Sequence, residues 1–173
     1  MIIFNCKSVK IPPNQVYDSI IDNITFASIK CTNCYHTGFH KHCYYYRTLY
    51  NSYSRSFSKI KILRLICPDC GKTHALLLSS MIPYSNFPLD LTIDICQLTS
   101  EKQIREFLDL HIEIIIDSLR SMKRRFRLFW KQRLLSCDIS FDVFSITNKC
   151  ITFFHRQFMQ NHCGTLIYLS DST

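Results

Sequence analysis

Two cysteine pairs with a two-residue spacing constrain this chain more than any other feature. They are Cys31-Thr-Asn-Cys34 and Cys67-Pro-Asp-Cys70, and Gly71 follows the second pair. This spacing lets both thiolates of a tight turn bind one metal ion, and two such turns complete a tetrahedral all-cysteine site. The pattern predicts one structural Zn²⁺ with these four cysteines as ligands. Nearby histidines offer substitute ligands: His36, His40, His42 and His74.

The segment between the two pairs is predicted to form a long β-hairpin. Thirty-two residues separate the pairs, more than the roughly 15–20 of common zinc ribbons. From Lys59 to Ile62 basic and apolar residues alternate, which indicates a strand with one buried and one basic face. Asn51-Ser52 is the predicted turn. We expect a four-cysteine zinc ribbon over residues 29–86.

The two ends of the chain each predict one helix and one short strand. Residues 1–28 contain a β-like run, and a helix that begins at Asn14 would pack on the ribbon. Residues 137–173 contain an amphipathic helix from about Phe141 to Gln160, followed by a short strand over 165–169. The predicted fold class is therefore α+β.

Residues 87–136 are predicted to form a helical region of the helix-turn-helix type. A first short helix or extended run precedes Ser100, which can cap a second helix that ends near Leu110. A third, longer helix then runs from about Ile112 to Leu134. Short helix, turn and long helix is the outline of a helix-turn-helix. The turn lacks the glycine common in that motif, so an αα-hairpin without a DNA role is the alternative.

The third helix is expected to carry an apolar stripe opposite a basic one. Core packing is the expected role of Phe126, Phe129 and Trp130 on the apolar stripe, rather than base stacking. The isoleucine run at residues 114–116 is expected to be largely buried.

Positive charge is concentrated in two blocks. Residues 31–88 sum to +6 (seven basic minus one acidic) and residues 119–135 to +7 (seven minus none), whereas 89–118 sum to −5 (two minus seven). Like-charged blocks attract polyanions, of which nucleic acid is the commonest; solvated faces without a partner are the alternative. The candidate nucleic-acid-binding residues are Arg47, Arg55, Lys59, Lys61 and Arg64 in the hairpin and Arg120, Arg124, Arg127 and Lys131 in the third helix.

One stretch of the chain resembles a known group of proteins. The resemblance is carried by Cys31-x-x-Cys34, His42, Tyr44 and Arg47, Ile60-Lys61-Ile62-Leu63-Arg64, Cys67-x-x-Cys70-Gly71-Lys72-Thr73-His74-Ala75-Leu76-Leu77 and Pro83-Tyr84. These residues resemble a bacterial zinc-ribbon family of unassigned activity, related to the N-terminal zinc finger and helix-turn-helix region of insertion-sequence transposases. The chain departs from that pattern at Cys43 and Leu78, where glycine and proline are usual. The resemblance implies a zinc-binding, DNA-associated protein of mobile-element origin.

Catalysis is not expected. With three glycines in the sequence, a P-loop, a dinucleotide-binding loop or a nucleophile elbow cannot be built. A transposase nuclease core needs three convergent carboxylates, and no strand-borne framework of acids is present. We therefore expect no small-molecule substrate. DNA is the expected partner, through the basic hairpin and the basic helix.

Two other functions are left open. An RNA-binding ribbon is supported by tyrosines that could stack on unpaired bases. A protein-interaction adaptor would dock on a transposase or on another transposition or transcription complex. No secretory signal or membrane span is evident, so a cytoplasmic location is expected. The cysteines outside the predicted metal site are then expected to be reduced core residues: Cys6, Cys43, Cys96, Cys137, Cys150 and Cys163.

Overall fold

One mixed β-sheet organises the part of the protein that contains the hairpin in the computed structural model, which describes residues 1–5, 14–160 and 167–169. Its strands are β1 (Ile2–Phe4), β2 (His40–Asn51), β3 (Ser56–Ile66), β4 (Thr73–Leu78) and β5 (Ile167–Leu169). The order across the sheet is β2-β3-β4-β1-β5. The pairs β2–β3 and β3–β4 are antiparallel, whereas β1 runs parallel to both β4 and β5. The predicted long hairpin is therefore present.

The hairpin turn lies directly after the predicted asparagine. The Asn51 Oδ1 atom accepts hydrogen bonds from the backbone N–H groups of Tyr53 (2.8 Å) and Ser54 (3.4 Å). An asparagine side chain that bonds to the backbone two residues on is a common way to start a turn. Arg55, the last residue before β3, has a φ of 54°.

Helix α1 (Asn14–Asp22) packs on the sheet, as predicted. Its Tyr17 and Ile21 side chains are buried. The Tyr17 hydroxyl lies between β3 and β4, where it donates to the carbonyl oxygen of Leu76 at 2.6 Å and accepts from the Leu63 N–H at 3.3 Å. The two strands pair only from Arg64 to Ile66. The phenol therefore replaces the backbone pairing that is missing beyond Arg64.

Five α-helices form the second part of the protein. They are α2 (Leu89–Gln97), α3 (Glu101–Leu110), α4 (Ile116–Arg125), α5 (Lys131–Ser136) and α6 (Val143–Phe154). The predicted cap of α3 is confirmed, because the Ser100 hydroxyl accepts from the Gln103 N–H at 3.2 Å and the Gln103 side chain accepts from the Ser100 N–H at 3.1 Å. This reciprocal capping box satisfies two free donors at the helix start. Together with the sheet, these helices confirm the α+β class.

The third predicted helix differs from its prediction at its beginning. Residues 111–115 form a connection between α3 and α4, so the helix begins at Ile116 instead of near Ile112. Of the isoleucine run, Ile114 is buried but Ile115 and Ile116 are exposed. The expectation of a largely buried run was wrong, because it assumed that these residues were already helical.

A π-helical turn, Phe126–Trp130, joins α4 to α5. A π turn accommodates an extra residue relative to an α turn, which brings Trp130 rather than Phe129 to the buried side of the helix. Trp130 packs edge-on against Phe158, with ring centroids 5.2 Å apart. Phe129 is 57% exposed. The prediction that it belongs to the core was therefore wrong.

The described residues form two hydrophobic cores. The first lies between α1 and the sheet, and the second lies among the helices around Trp130 and Phe158. Predicted regions 1–28 and 29–86 mainly share the first core, while 87–136 and 137–173 mainly share the second. The exception that matters is Tyr50, which belongs to β2 but is fully buried in the second core. The hairpin thus connects the two cores.

The last predicted helix is shorter than expected. Helix α6 ends at Phe154, and His155 follows in the left-handed conformation with a φ of 50°. This break, which α-helix periodicity does not reveal, separates Phe158 from the helix. The predicted strand is found as β5 over the part that the structure describes.

The remaining cysteines fit their prediction only in part. No disulfide links any of the described cysteines. Cys150 is buried and Cys96 and Cys137 are half-buried, but Cys43 is exposed, so its assignment to the core was wrong. Cys6 and Cys163 lie outside the described residues. No helix in the described ranges is long and apolar enough to cross a membrane.

Candidate metal centre and basic surfaces

The four predicted ligand cysteines come together at the base of the hairpin. The Sγ atoms of Cys31, Cys34, Cys67 and Cys70 all lie within 4.8 Å of one another. Two of these separations are 3.7 Å, from Cys31 to Cys70, and 3.5 Å, from Cys34 to Cys67. A tetrahedron with metal–sulfur bonds of about 2.3 Å has edges of about 3.8 Å. The cluster therefore fits one tetrahedrally bound metal ion, and the predicted ligand set is confirmed as a cluster.

Each cysteine pair lies on a turn with the same backbone hydrogen bonds. In the first knuckle, residues 31–36, the Cys31 N–H donates to the oxygen of His36 and the Tyr35 N–H donates to the oxygen of Cys31, at 2.8 and 2.9 Å. In the second knuckle, residues 67–72, the equivalent bonds measure 2.9 and 3.0 Å. The repeated pattern places two sulfur atoms at the end of each turn. The two knuckles face each other across one site.

The fifth position of each knuckle adopts a left-handed backbone conformation. Gly71 has a φ of 67° and Tyr35 a φ of 62°. Glycine adopts this region without cost, whereas a residue with a Cβ atom does so at a cost of roughly 1–2 kcal/mol. The second knuckle is therefore relaxed at this position and the first is strained. Tyr35 is 78% exposed, so its side chain gains little packing in return.

The protein environment shifts the pKa values of the Cys34 and Cys70 thiols in opposite directions. The Lys72 N–H, with help from the neighbouring cysteines, lowers the pKa of Cys70 to about 7. At Cys34 a backbone hydrogen bond at His36 also favours the thiolate, but burial and the nearby thiols outweigh it and raise the pKa. Thiols so close together cannot all ionise without a cation between them. A bound metal ion would supply that charge and deprotonate its ligands.

None of the described histidines joins the sulfur cluster. His36, His40 and His42 are exposed. His74 is buried with its ring edge-on to Phe39, at a centroid distance of 5.2 Å, and burial lowers its pKa. The histidines are therefore not substitute ligands in this structure.

The predicted basic residues of the hairpin lie on different faces. Lys59 and Lys61 are exposed and alternate with the buried Ile60 and Ile62, as the pattern predicted. Arg64 breaks that alternation and lies on the other face, where its guanidinium carbon is 4.8 Å from the centroid of the Tyr45 ring. Arg55 is exposed at the turn.

Arg47 differs from the other hairpin cations. Its guanidinium group donates to the backbone carbonyl oxygens of Ile82 and Ser85. The side chain is half-buried, and this burial lowers the pKa of the guanidinium group. Arg47 therefore anchors the segment after β4 to the hairpin. It does not belong to the exposed basic residues of the hairpin.

The four predicted cations of the third helix are all exposed, and we call them the helical strip: Arg120, Arg124, Arg127 and Lys131. Arg120 lies 3.5 Å from the carboxylate of Asp117. Among the described residues, no carboxylate lies within ion-pair distance of the other three. Cations without a local counterion retain their attraction for an external anion.

A polar cluster at the tip of the hairpin was not predicted. The Tyr50 hydroxyl lies 2.7 Å from Nδ1 of His111, and the Glu113 carboxylate accepts a hydrogen bond from the Phe57 N–H at 2.6 Å. Burial lowers the pKa of His111 and raises that of Tyr50. These contacts fix the hairpin tip to the connection between α3 and α4. The residues of these two contacts are 61 and 56 positions apart in the chain, which is why no local pattern indicates them.

Comparisons with protein-family models, with curated proteins and with solved structures found no match. The resemblance to transposase zinc fingers therefore stays a prediction. The four-cysteine cluster and the exposed basic residues of the hairpin and the helical strip are the features that bear on function.

Proposed function

We propose that this protein binds nucleic acid, with DNA as the expected ligand, and that a structural zinc ion holds its binding surface in shape. One observation carries the proposal. The hairpin, residues 40–66, contains six basic residues and no acidic one, and it begins and ends beside the four-cysteine cluster. Apart from Arg47, which is turned inward, these basic side chains are exposed, and exposed cations with no acidic residue in the same hairpin attract a polyanionic partner.

Zinc is the metal that this donor set favours. Four thiolates in a tetrahedral arrangement suit Zn²⁺, and the reducing interior of a cell keeps them available. Because protein sulfur atoms fill all four positions, no coordination site is left for water or substrate. The zinc is therefore structural, and the two knuckles with the hairpin between them are a zinc ribbon with an unusually long insertion.

The helical strip is the second proposed contact, and it would bind phosphates rather than read bases. In a base-reading helix the first residues enter the groove. Here the carboxylate of Glu113 precedes α4 and Asp117 lies in its first turn, and both would be repelled by phosphates. Binding is therefore assigned to Arg124, Arg127 and Lys131, further along the helix. A helix-turn-helix role for α3 and α4 and a mobile-element setting remain part of the proposal, supported by the order of the parts and by the resemblance.

Fluorescence anisotropy with labelled duplex DNA, single-stranded DNA and RNA at several salt concentrations tests the proposal. Binding should weaken steeply with salt, with a slope of log affinity against log salt of about −0.9 per phosphate contact on a duplex. Replacing both Arg124 and Arg127 by Gln should reduce the magnitude of the slope by about 2. Lys102→Gln is the matched control, because Lys102 is exposed on α3 and pairs with Glu106 at 3.8 Å.

Two results would contradict the proposal. One is the absence of binding to any nucleic acid at low salt by a zinc-loaded protein. The other is an affinity that does not change with salt, since phosphate contacts release counterions.

A protein-interaction adaptor is the second candidate function, favoured by exposed apolar side chains. Leu128 and Phe129 in the π-helical turn, Leu135 in α5 and Phe144 in α6 are exposed. Apolar patches on a surface commonly mark contacts with other proteins. A zinc-loaded chain that binds no nucleic acid but forms a complex that Phe129→Ser abolishes would favour this function.

A further inference from the structure

The outward face of the hairpin carries two exposed tyrosines beside two lysines. We call it the tyrosine face; its residues are Tyr44, Tyr46, Thr48, Lys59 and Lys61. In the β2–β3 register Tyr46 is opposite Lys61 and Thr48 is opposite Lys59, and directly opposed residues point to the same side of a sheet. Tyr46 is 71% exposed and Tyr44 is 44% exposed. Two aromatic rings and two cations therefore share one open face.

Two other tyrosines of the same strand are covered by the rest of the protein. Tyr50 is fully buried and bonded to His111, and Tyr45 is half-buried beside the guanidinium group of Arg64. Both of these rings contribute to the fold. Tyr44 and Tyr46, in contrast, present large apolar surfaces to solvent, which a folded chain does not need.

The spacing of the two rings fits a strand of unpaired bases. Residues i and i+2 of a strand lie roughly 6.7 Å apart on the same face. β-Sheets that bind single-stranded nucleic acid use exposed aromatic side chains to stack successive bases. The ammonium group of Lys61 lies 4.2 Å from the centroid of the Tyr44 ring. The phosphate between two stacked bases would thus lie close to the ammonium group of Lys61.

The occupant that fits both features is a single nucleic-acid strand. A duplex hides the faces of its bases, so it could contact the lysines but not stack on the tyrosines. An acidic peptide could likewise pair with the lysines, but its carboxylates do not stack on aromatic rings as nucleic-acid bases do. We propose that the tyrosine face is a stacking platform for unpaired bases, so that the protein prefers single strands or unpaired segments to duplexes. This inference rests on the proposed nucleic-acid binding and adds its preferred ligand.

Anisotropy titrations of the zinc-loaded full chain test the inference. The probes are labelled oligo-dT and oligo-U of about 12 nucleotides, within the range that one stacking surface covers, and a duplex of the same length. Wild type should bind both single strands more tightly than the duplex. Tyr46→Leu should weaken single-strand binding by about 5- to 150-fold, which corresponds to one lost stacking contact, and leave duplex binding unchanged.

Two further variants make the result specific. Tyr46→Phe keeps the aromatic ring and should retain single-strand binding. Phe153→Leu removes an aromatic side chain of α6 that is exposed and lies outside the hairpin, and it should not change binding. Equal zinc content in all three variants shows that the fold is intact. The preference of wild type for single strands over the duplex tests the inference without any substitution.

The possible failures are distinguishable. If wild type binds the duplex at least as tightly as single strands, or if Tyr46→Leu binds single strands as tightly as wild type does, the stacking platform is wrong while nucleic-acid binding stands. The platform is equally wrong if poly-glutamate of similar length displaces oligo-dT as well as unlabelled oligo-dT does. If no probe binds at low salt, the proposed function itself is wrong.

Discussion

The Tyr17 hydroxyl offers a direct test of how the sheet is held together. It is buried, and it bridges the Leu63 N–H of β3 to the Leu76 carbonyl of β4 where the two strands no longer pair. Tyr17→Phe removes one oxygen atom and keeps the packing of the ring. Two backbone groups would then be left without a partner in the core, where water cannot replace the phenol.

The expected cost follows from the two groups. A buried polar group that loses its partner costs about 1–3 kcal/mol. The 2.6 Å bond to Leu76 is short and the 3.3 Å bond from Leu63 is long, so the first should contribute more. We expect Tyr17→Phe to lower the free energy of unfolding by about 2–4 kcal/mol, or about 30- to 800-fold in the unfolding equilibrium.

Urea unfolding at a fixed, saturating zinc concentration measures this difference. Tyr45→Phe is the matched control, because Tyr45 lies half-buried on β2 and no described hydrogen bond involves its hydroxyl. If the two variants differ by less than about 0.5 kcal/mol, the backbone groups have found other partners and the reasoning is wrong.

A pH series gives a second readout for Tyr17. Burial raises the pKa of Tyr17 above its ordinary value of 10.0. Its contribution to stability is therefore complete below pH 10 and is lost as the pH rises further, since the unfolded state ionises first. As the pH rises above 10, the free energy of unfolding should therefore fall less for Tyr17→Phe than for wild type.

Further predictions concern the metal centre and the hairpin tip. Cys67→Ala should abolish binding of one zinc per chain and unfold the ribbon, because such a site contributes on the order of 10 kcal/mol; unchanged metal content would contradict this. Gly71→Ala should cost about 1 kcal/mol through backbone strain alone, since its φ is 67° and no atom lies within 4 Å of an added Cβ. Tyr35→Gly should raise the free energy of unfolding by up to a similar amount. Denaturant titrations at a fixed zinc concentration measure both changes. Burial, with the charge of Arg55, lowers the pKa of His111, so its contribution to stability is complete above pH 6.5 and is lost as the pH falls. His111→Gln should flatten that part of the stability profile, and an unchanged profile would refute the assignment.

Local chemistry predicted much of this structure. The two-residue spacing of the cysteines identified all four members of the cluster, because a tight turn fixes the geometry of its own side chains. Ser100 likewise identified the start of α3, because a helix cap is a contact between neighbours in the chain. Features whose partners lie within about five residues were therefore predictable.

Features that depend on distant partners were not. The Arg47 side chain appeared in the sequence as one cation among many, and only the carbonyl oxygens of residues 82 and 85 turn it inward. Phe129 shares its helical spacing with core residues, but a π-helical turn moves Trp130 into its place. The exposed and buried tyrosines of β2 could not be separated either, because Tyr50 is covered by contacts such as that with His111, 61 positions away, and Tyr45 by Arg64 of the next strand. A periodic pattern gives the face of an element but not what covers that face.

The contacts at both ends of the hairpin make it the element that couples the four-cysteine cluster to the helices. Its base meets the knuckles, while at its tip the Tyr50 N–H donates to the oxygen of Asn86 at 2.8 Å and the tyrosine ring lies in the second core. Removal of the metal should therefore loosen more than the knuckles. Hydrogen exchange should show faster exchange of the Tyr50 N–H after chelation, before α6 loses its protection. If the tip stays as protected as in the zinc-loaded protein, the helical core holds the hairpin by itself, and zinc shapes only the base of the proposed binding surface.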